Sequence, residues 1–400
     1  MKIGISSDQS HSYFTIIKNP RKILCITGTR ADYPRVKSVL SEIQQRKSFQ
    51  LDIVVTGSHL LHEYGYSAQE IIDDGFSISK KVPMFKGDYD SPHGMAKAVG
   101  RCTSGMADVL KELKPDLVLL TVDRVETLAA AVAVSLMNFP IAHIQGGEMT
   151  GTIDESIRHA VTKMSHIHFP ATEDAKERII RMGEDPEMVF QVGCPYIDII
   201  NSLQKKTKDE LSLEYGFIAT KPLIIFTQHP ITTEYGSSSK QIKITLDAIK
   251  SFPECQIVAF SSNTDAGGKE IISEVKNEKN FTHIPNMISP DFLSLMACAD
   301  VMIGNSSAAI REAPSFHLPA VNIGTRQQGR LRADNVIDVD HDTTAIENAI
   351  KLALYDKDFA SKLKDISNPY GDGQSAKRIV DILTRVEITP ELIQKRIAYA

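Results

Sequence analysis

An α/β protein with two doubly wound parallel sheets facing a cleft is the fold class this sequence predicts, on three observations. Short β-rich runs alternate with amphipathic helical stretches almost from end to end, the rhythm of strand-helix-strand crossovers. The alternation comes in two series, with a break near residues 194–221 that reads as a hinge. Strand ends run directly into glycines and ionisable groups, and in open α/β sheets ligands collect at the carboxyl ends of strands. With 400 residues and 42% hydrophobic content, the chain is long enough for two domains of ordinary size, each with its own core.

In the first series, residues 22–27, 51–56, 116–122, 141–144, 166–170 and 189–192 read as strands between helices. In the second, 223–227, 256–260, 301–303 and 320–323 read as strands, separated by helix-like segments such as 241–251 and 289–299. Residues 375–400 look helical with an interruption at Pro390, and this segment is placed to cross back onto the first domain. The expected organisation is an extension at 1–20, a Rossmann-like domain at 21–195, a second at 196–375 and a helical segment at 376–400. The start of the extension, Lys2-Ile3-Gly4-Ile5-Ser6, could add an edge strand. There is no internal repeat and no low-complexity tract.

Composition excludes several function classes. Lys and Arg total 45 against 50 acidic residues, mixed along the chain without a basic block, so no nucleic-acid partner is expected, although a local anion site is compatible with this balance. Five cysteines (Cys25, Cys102, Cys194, Cys255, Cys298) lie far apart without a CxxC pair, which suggests neither a disulfide framework nor a zinc knuckle. The first twenty residues lack an apolar signal-peptide core, and no apolar run approaches the ~20 residues needed to cross a bilayer. A cytoplasmic location without membrane association is the expectation.

The densest chemistry follows the strand at 141–144, in His143-Ile144-Gln145-Gly146-Gly147-Glu148 and Gly151-Thr152-Ile153-Asp154-Glu155-Ser156-Ile157-Arg158-His159. Carboxylates, histidines and glycines directly after a buried-looking strand read as the floor of an active site; a polar strand-to-helix loop is the plainer alternative. Gly28-Thr29-Arg30-Ala31-Asp32-Tyr33 joins a strand to a helix, aiming backbone N–H groups and a guanidinium at an anion, without the GxGxxG spacing of a dinucleotide site. Gly304-Asn305-Ser306-Ser307 repeats that design, with Glu312 placed to accept from ribose hydroxyls; helix capping alone would account for one serine. Asp123-Arg124, Gln228-His229-Pro230 and Asn263-Thr264-Asp265 end three more strands, and Arg326 and Arg330 offer further guanidinium groups. His166 and His168 lack a third ligand, so no metal site is expected.

With these motifs in one order, together with Gly57-Ser58-His59 and Gly324-Thr325-Arg326-Gln327, the sequence closely resembles the hydrolysing UDP-N-acetylglucosamine 2-epimerases over about residues 22–373. The resemblance implies the two-Rossmann-domain, GT-B-like architecture, with a nucleotide sugar in the cleft and release of N-acetylmannosamine and UDP for sialic acid synthesis. It assigns Arg30, Arg124, Ser306, Ser307, Glu312 and Arg326 to the nucleotide and its phosphates. Asn263 and the backbone at Met287 fall near the phosphates and uracil, and Asp123, Asp154 and His229 beside the sugar. A homodimer or homotetramer without cofactor is implied.

Two departures bear on this expectation. The family often carries a catalytic Glu where this chain has Gln145, and an amide takes no proton at neutral pH. Either Asp123 or Asp154 is then the base, with Glu148 assisting, or the chain belongs to a branch with a modified sugar. Ser273 and Lys276 stand where some animal relatives carry paired arginines for feedback by CMP-sialic acid, so no such feedback is expected. UDP-N-acetylglucosamine is the expected substrate, UDP-2,4-diacetamido-2,4,6-trideoxyglucose the alternative, and a GT-B glycosyltransferase or an inactive nucleotide-sugar-binding protein the readings from other classes.

Overall fold

The computed structural model describes residues 20–398 except 31, 63–65, 88–91, 150–152, 232–233, 235, 263–267 and 286. The extension at 1–19, with its suggested edge strand, and Asn263 therefore lie outside the described residues. The first sheet comprises β1 (Arg21–Thr27), β2 (Phe49–Thr56), β3 (Lys80–Val82), β4 (Leu117–Thr121), β5 (Ile141–Ile144) and β6 (Ile167–Phe169). The second comprises β7 (Leu223–Thr227), β8 (Gln256–Phe260), β9 (Phe281–Ile284), β10 (Val301–Gly304), β11 (Ala320–Ile323) and β12 (Val336–Val339). Each is six-stranded and parallel, in the orders β3-β2-β1-β4-β5-β6 and β12-β11-β10-β7-β8-β9. Strand order reverses between β1 and β4 and between β7 and β10, and a crevice opens at such a switch point beyond the carboxyl ends.

The central strands are buried on both faces, hence their continuous apolar runs: LVLLT in β4 and LIIFT in β7 are buried at every position. Three edge strands escape the sequence reading. β3, β9 and β12 are three or four residues long and mostly half-buried or exposed, so their sequences carry no apolar run. The strand expected at 189–192 is corrected to an extended segment joined to β6 by one bridge, His168 to Val189. Pro170, which has no N–H to donate, ends β6 there.

Helices cover both faces of each sheet, with separate buried clusters on the two faces. The chain passes between the units twice, and the two passages touch: Cys194 N donates to Tyr370 O at 2.6 Å. Beside them, the Asp198 carboxylate in helix Pro195–Ser202 accepts from Ser375 N and Ala376 N at 3.0 and 2.6 Å, satisfying the first turn of helix Ser375–Arg385. That last helix buries Ala376, Ile379, Val380 and Leu383 in the core of the first sheet, and Asp381 pairs with Arg46 at 2.7 Å. It ends at Arg385, and a short turn resumes at Pro390 under a Thr389 cap. Among the described residues no helix is long and apolar enough to cross a membrane.

Candidate active site

The site forms where the carboxyl ends of β1, β4 and β5 meet those of β7 and β10. Beneath it, His143 in β5 is a scaffold group: its Nε2 donates to Val122 O at 2.8 Å, Nδ1 lies 3.2 Å from Thr162 Oγ1, and burial pushes its pKa down to about 4. His59 is likewise enclosed between Thr27 and Ser67, neutral through burial. Past β5 the backbone turns sharply, with Gln145 at φ +63° and Gly147 at φ +78°. A Cβ at Gly147 would stand 2.4 Å from Ala175 O, so only glycine fits.

That turn presents Gln145 and Glu148 to opposite partners. The buried Gln145 amide accepts from Arg35 Nη1 at 3.2 Å and donates to Cys194 Sγ at 2.6 Å. Glu148 Oε2 pairs with Arg311 Nη1 of the second unit at 2.7 Å, and its carbonyl accepts from Arg158 Nη1 at 2.6 Å. Arg158 Nη2 also donates to Asp123, just past β4. Asp154, in the first turn of helix Ile153–Met164, lies 3.8 Å from Arg124. Arg30 is exposed on the loop after β1.

On the facing side, Gly304 (φ +124°) lets β10 close on β7, since a Cβ there would fall 1.9 Å from Thr227 O. The next residue, Asn305, ties three loops together. Its amide exchanges hydrogen bonds with the backbone of His229 (2.7 and 2.9 Å), and its carbonyl accepts from Arg326 (3.1 Å) and Gln327 (2.9 Å). Burial and the Arg326 charge hold the His229 pKa down to about 3, leaving a neutral imidazole. Ser307 makes no side-chain cap, and Ser306 Oγ only approaches Ala308 N at 3.4 Å, so both hydroxyls are largely uncommitted to the short helix Ala308–Arg311. Glu312 is buried; burial raises its pKa while Arg311, Arg35 and Arg330 oppose the rise, and its Oε2 has no hydrogen-bond partner. Met287 packs half-buried against the second unit's core.

The residues that sequence reasoning left without a role are mostly arginines. Burial and the nearby Arg330, Arg311, Arg35 and Arg178 press the Arg158 pKa down. Guanidinium groups converging on one cleft concentrate positive charge and planar donor forks in a partly desolvated space, surroundings that suit an anion. The available signal was an Arg directly after a short apolar run, as at Arg311 following Ala308-Ala309-Ile310. Among the described residues no group of three or more His, Cys, Asp or Glu could hold a metal ion.

Two parallel doubly wound sheets with an arginine-rich cleft between their carboxyl edges define a GT-B-like fold. The chain belongs to the UDP-N-acetylglucosamine 2-epimerase family, whose profile matches residues 41–384. It is 40% identical over 95% of its length, and 100% of the relative's, to a UDP-N,N'-diacetylbacillosamine 2-epimerase (hydrolyzing) of Legionella pneumophila. It is 37% identical to a GDP/UDP-N,N'-diacetylbacillosamine 2-epimerase (hydrolyzing) of Campylobacter jejuni, covering 80% of this chain and 84% of the relative. Its fold matches the crystal structure of UDP-GlcNAc 2-epimerase from Neisseria meningitidis bound to UDP-GlcNAc with TM-score 0.79 at 22% identity, over 91% of this chain and 100% of the other.

Proposed function

We propose that this protein is a hydrolysing 2-epimerase of UDP-2,4-diacetamido-2,4,6-trideoxyglucose. The observation that carries the choice of sugar is the 40% identity, across nearly the whole chain, to a relative named for that diacetamido sugar. UDP-N-acetylglucosamine, the substrate first expected from the sequence, is the second reading, favoured by the family profile's own description.

The C2 proton of a nucleotide sugar is acidic only while the C1–O bond to the diphosphate breaks and positive charge builds on the ring. In the first step a carboxylate removes that proton, the C–H electron pair forms the C1=C2 double bond, and the C1–O pair leaves with UDP. This anti elimination gives a 2-acetamidoglucal; water then adds syn across the double bond, OH at C1 and a proton at C2, on the face opposite to the one the first proton left, giving the free 2-epimer. Asp123 and Asp154 are the carboxylates at the sugar end, with Gln145 lacking an acid and Glu148 engaged by Arg311. Arg124 and Arg326, with Arg35 and Arg330, stabilise charge on the leaving diphosphate. Arg30 belongs to the same nucleotide set. Ser306 and Ser307 bind phosphate, Glu312 accepts from ribose hydroxyls, and Asn263 and Met287 complete the nucleotide end. His229, neutral at working pH, serves as a hydrogen-bonding group.

Incubation with each sugar nucleotide in D2O, following UDP release and analysing the free sugar, tests the reading. The expected result is a higher kcat/KM for the diacetamido sugar, with deuterium at C2 of an inverted product. Preference for UDP-N-acetylglucosamine returns the assignment to the second reading. Turnover only with an added acceptor makes the protein a transferase.

A further inference from the structure

Arg311 is a buried cation anchored by several neighbours, its Nε alone lacking a hydrogen-bond partner among the described residues. Its carbonyl accepts from Asn368 Nδ2 at 2.7 Å, its guanidinium carbon lies 4.9 Å from the Tyr370 ring centre, and Nη2 points at Cys194 Sγ, 3.4 Å away. Tyr370 is anchored in turn by its hydroxyl, which donates to Leu331 O at 3.0 Å. Against this rigid base stands Glu148, on a turn with Gly146 and Gly147 and therefore little side-chain packing of its own. The two side chains are 4% and 10% exposed, so the pair is desolvated, and either partner left alone would be a buried uncompensated charge.

The turn bearing Glu148 is also one end of a bridge. Arg158 spends one nitrogen on Glu148 O and another on Asp123. A guanidinium is a planar, rigid fork, so displacing its acceptor at one tip reorients the other. The position of Asp123 therefore depends on where Glu148 is held, and Arg311 holds it from the other unit.

We propose that Arg311 and Glu148 are a positioning pair that, through Arg158, sets Asp123 at the sugar end of the cleft. This rests on the reading of Asp123 as a reacting carboxylate. It makes the chemistry on the first sheet depend on a contact made only when the second unit is in place.

The test compares wild type, Glu148→Gln, Arg311→Met, the Glu148→Gln/Arg311→Met double variant, and each in an Asp123→Asn background. Misplacing a reacting group can cost on the order of 10²-fold, so each single variant is expected to lower kcat by about that factor, with UDP affinity from calorimetry and KM changed less than about threefold. In the Asp123→Asn background the same substitutions should lower kcat by less than about threefold more, because a residue acting through Asp123 has nothing left to position. Arg311→Lys, which keeps the charge, should recover part of the loss. Losses that multiply in the Asp123→Asn background, or that appear in KM and UDP affinity alone, overturn the proposal. Should the single variants not fold, the charge-neutral double variant carries the same comparison. Should wild type turn over neither sugar nucleotide, the proposed function fails, and hydrogen exchange at the amides of residues 145–149 still decides the pair's role: faster exchange in Arg311→Met supports it and unchanged exchange refutes it.

Discussion

Gln145 donates its side-chain amide to Cys194 Sγ at 2.6 Å. Its other end accepts from Arg35, so the neutral residue is a link between a cleft arginine and the passage between the two units. A carboxylate at this position could keep Arg35 but could not donate to the thiol.

Gln145→Glu should accordingly destabilise the protein by about 1–3 kcal/mol, the usual cost of losing a buried hydrogen-bond partner. Adding Cys194→Ser should recover part of that loss, since a hydroxyl can donate to the new carboxylate. Urea denaturation midpoints of the two variants check this. Because both ends of the Gln145 amide are committed, Gln145→Glu should leave the ratio of kcat/KM between the two sugar nucleotides within about threefold of wild type. A larger change would place its amide on the sugar instead.

The two sets of polar residues should separate kinetically. Ser306→Ala and Glu312→Ala should weaken UDP binding about tenfold or more, whereas Asp123→Asn and Asp154→Asn should lower kcat by about 10²–10⁴-fold with UDP affinity largely kept. Calorimetry with UDP, set beside steady-state rates, distinguishes them. Equal UDP affinity in all four would remove Ser306 and Glu312 from the nucleotide site.

Elimination and rehydration change no net oxidation state, and neither a dinucleotide fingerprint nor, among the described residues, a metal-ligand cluster is present. Turnover should survive exhaustive EDTA treatment and need no added NAD. Activity lost to the chelator and restored by Mg²⁺ would contradict this.

Stability should fall on mild acidification. Burial holds His59, His143 and His166 down to about 4 from an ordinary 6.5. Below 6.5 the unfolded chain therefore binds protons that the folded chain refuses, and stability present above 6.5 is lost as pH falls toward 4, by on the order of 1–2 kcal/mol per histidine by pH 5. Asp32 opposes this: burial and then Glu126 raise its pKa to about 7, so its contribution is fully present below 3.8 and declines as pH rises through 7. Three histidines outweigh one carboxyl, and the expected result is a lower Tm at pH 5 than at pH 7. An equal or higher Tm at pH 5 would mean these imidazoles are protonated in the fold.

The sequence by itself determined the two parallel sheets, their central strands and the sheet edge at which the polar motifs lie. Those properties are local: an apolar run buried on both faces, a glycine turn after it and an amphipathic helix next specify strand, edge and crossover without reference to distant residues. It did not reveal β3, β9 and β12, because a short half-exposed edge strand needs little apolar surface and is defined by its neighbour's hydrogen bonds. Nor did it reveal the roles of Arg35, Cys194 and Arg311. Gln145 and Cys194 are 49 residues apart and Glu148 and Arg311 are 163 apart, and such pairs become partners only when the two units pack. Whether a charged side chain is a solvated surface group or one half of a desolvated pair depends on what the opposite wall of the cleft presents, and only the tertiary structure decided that.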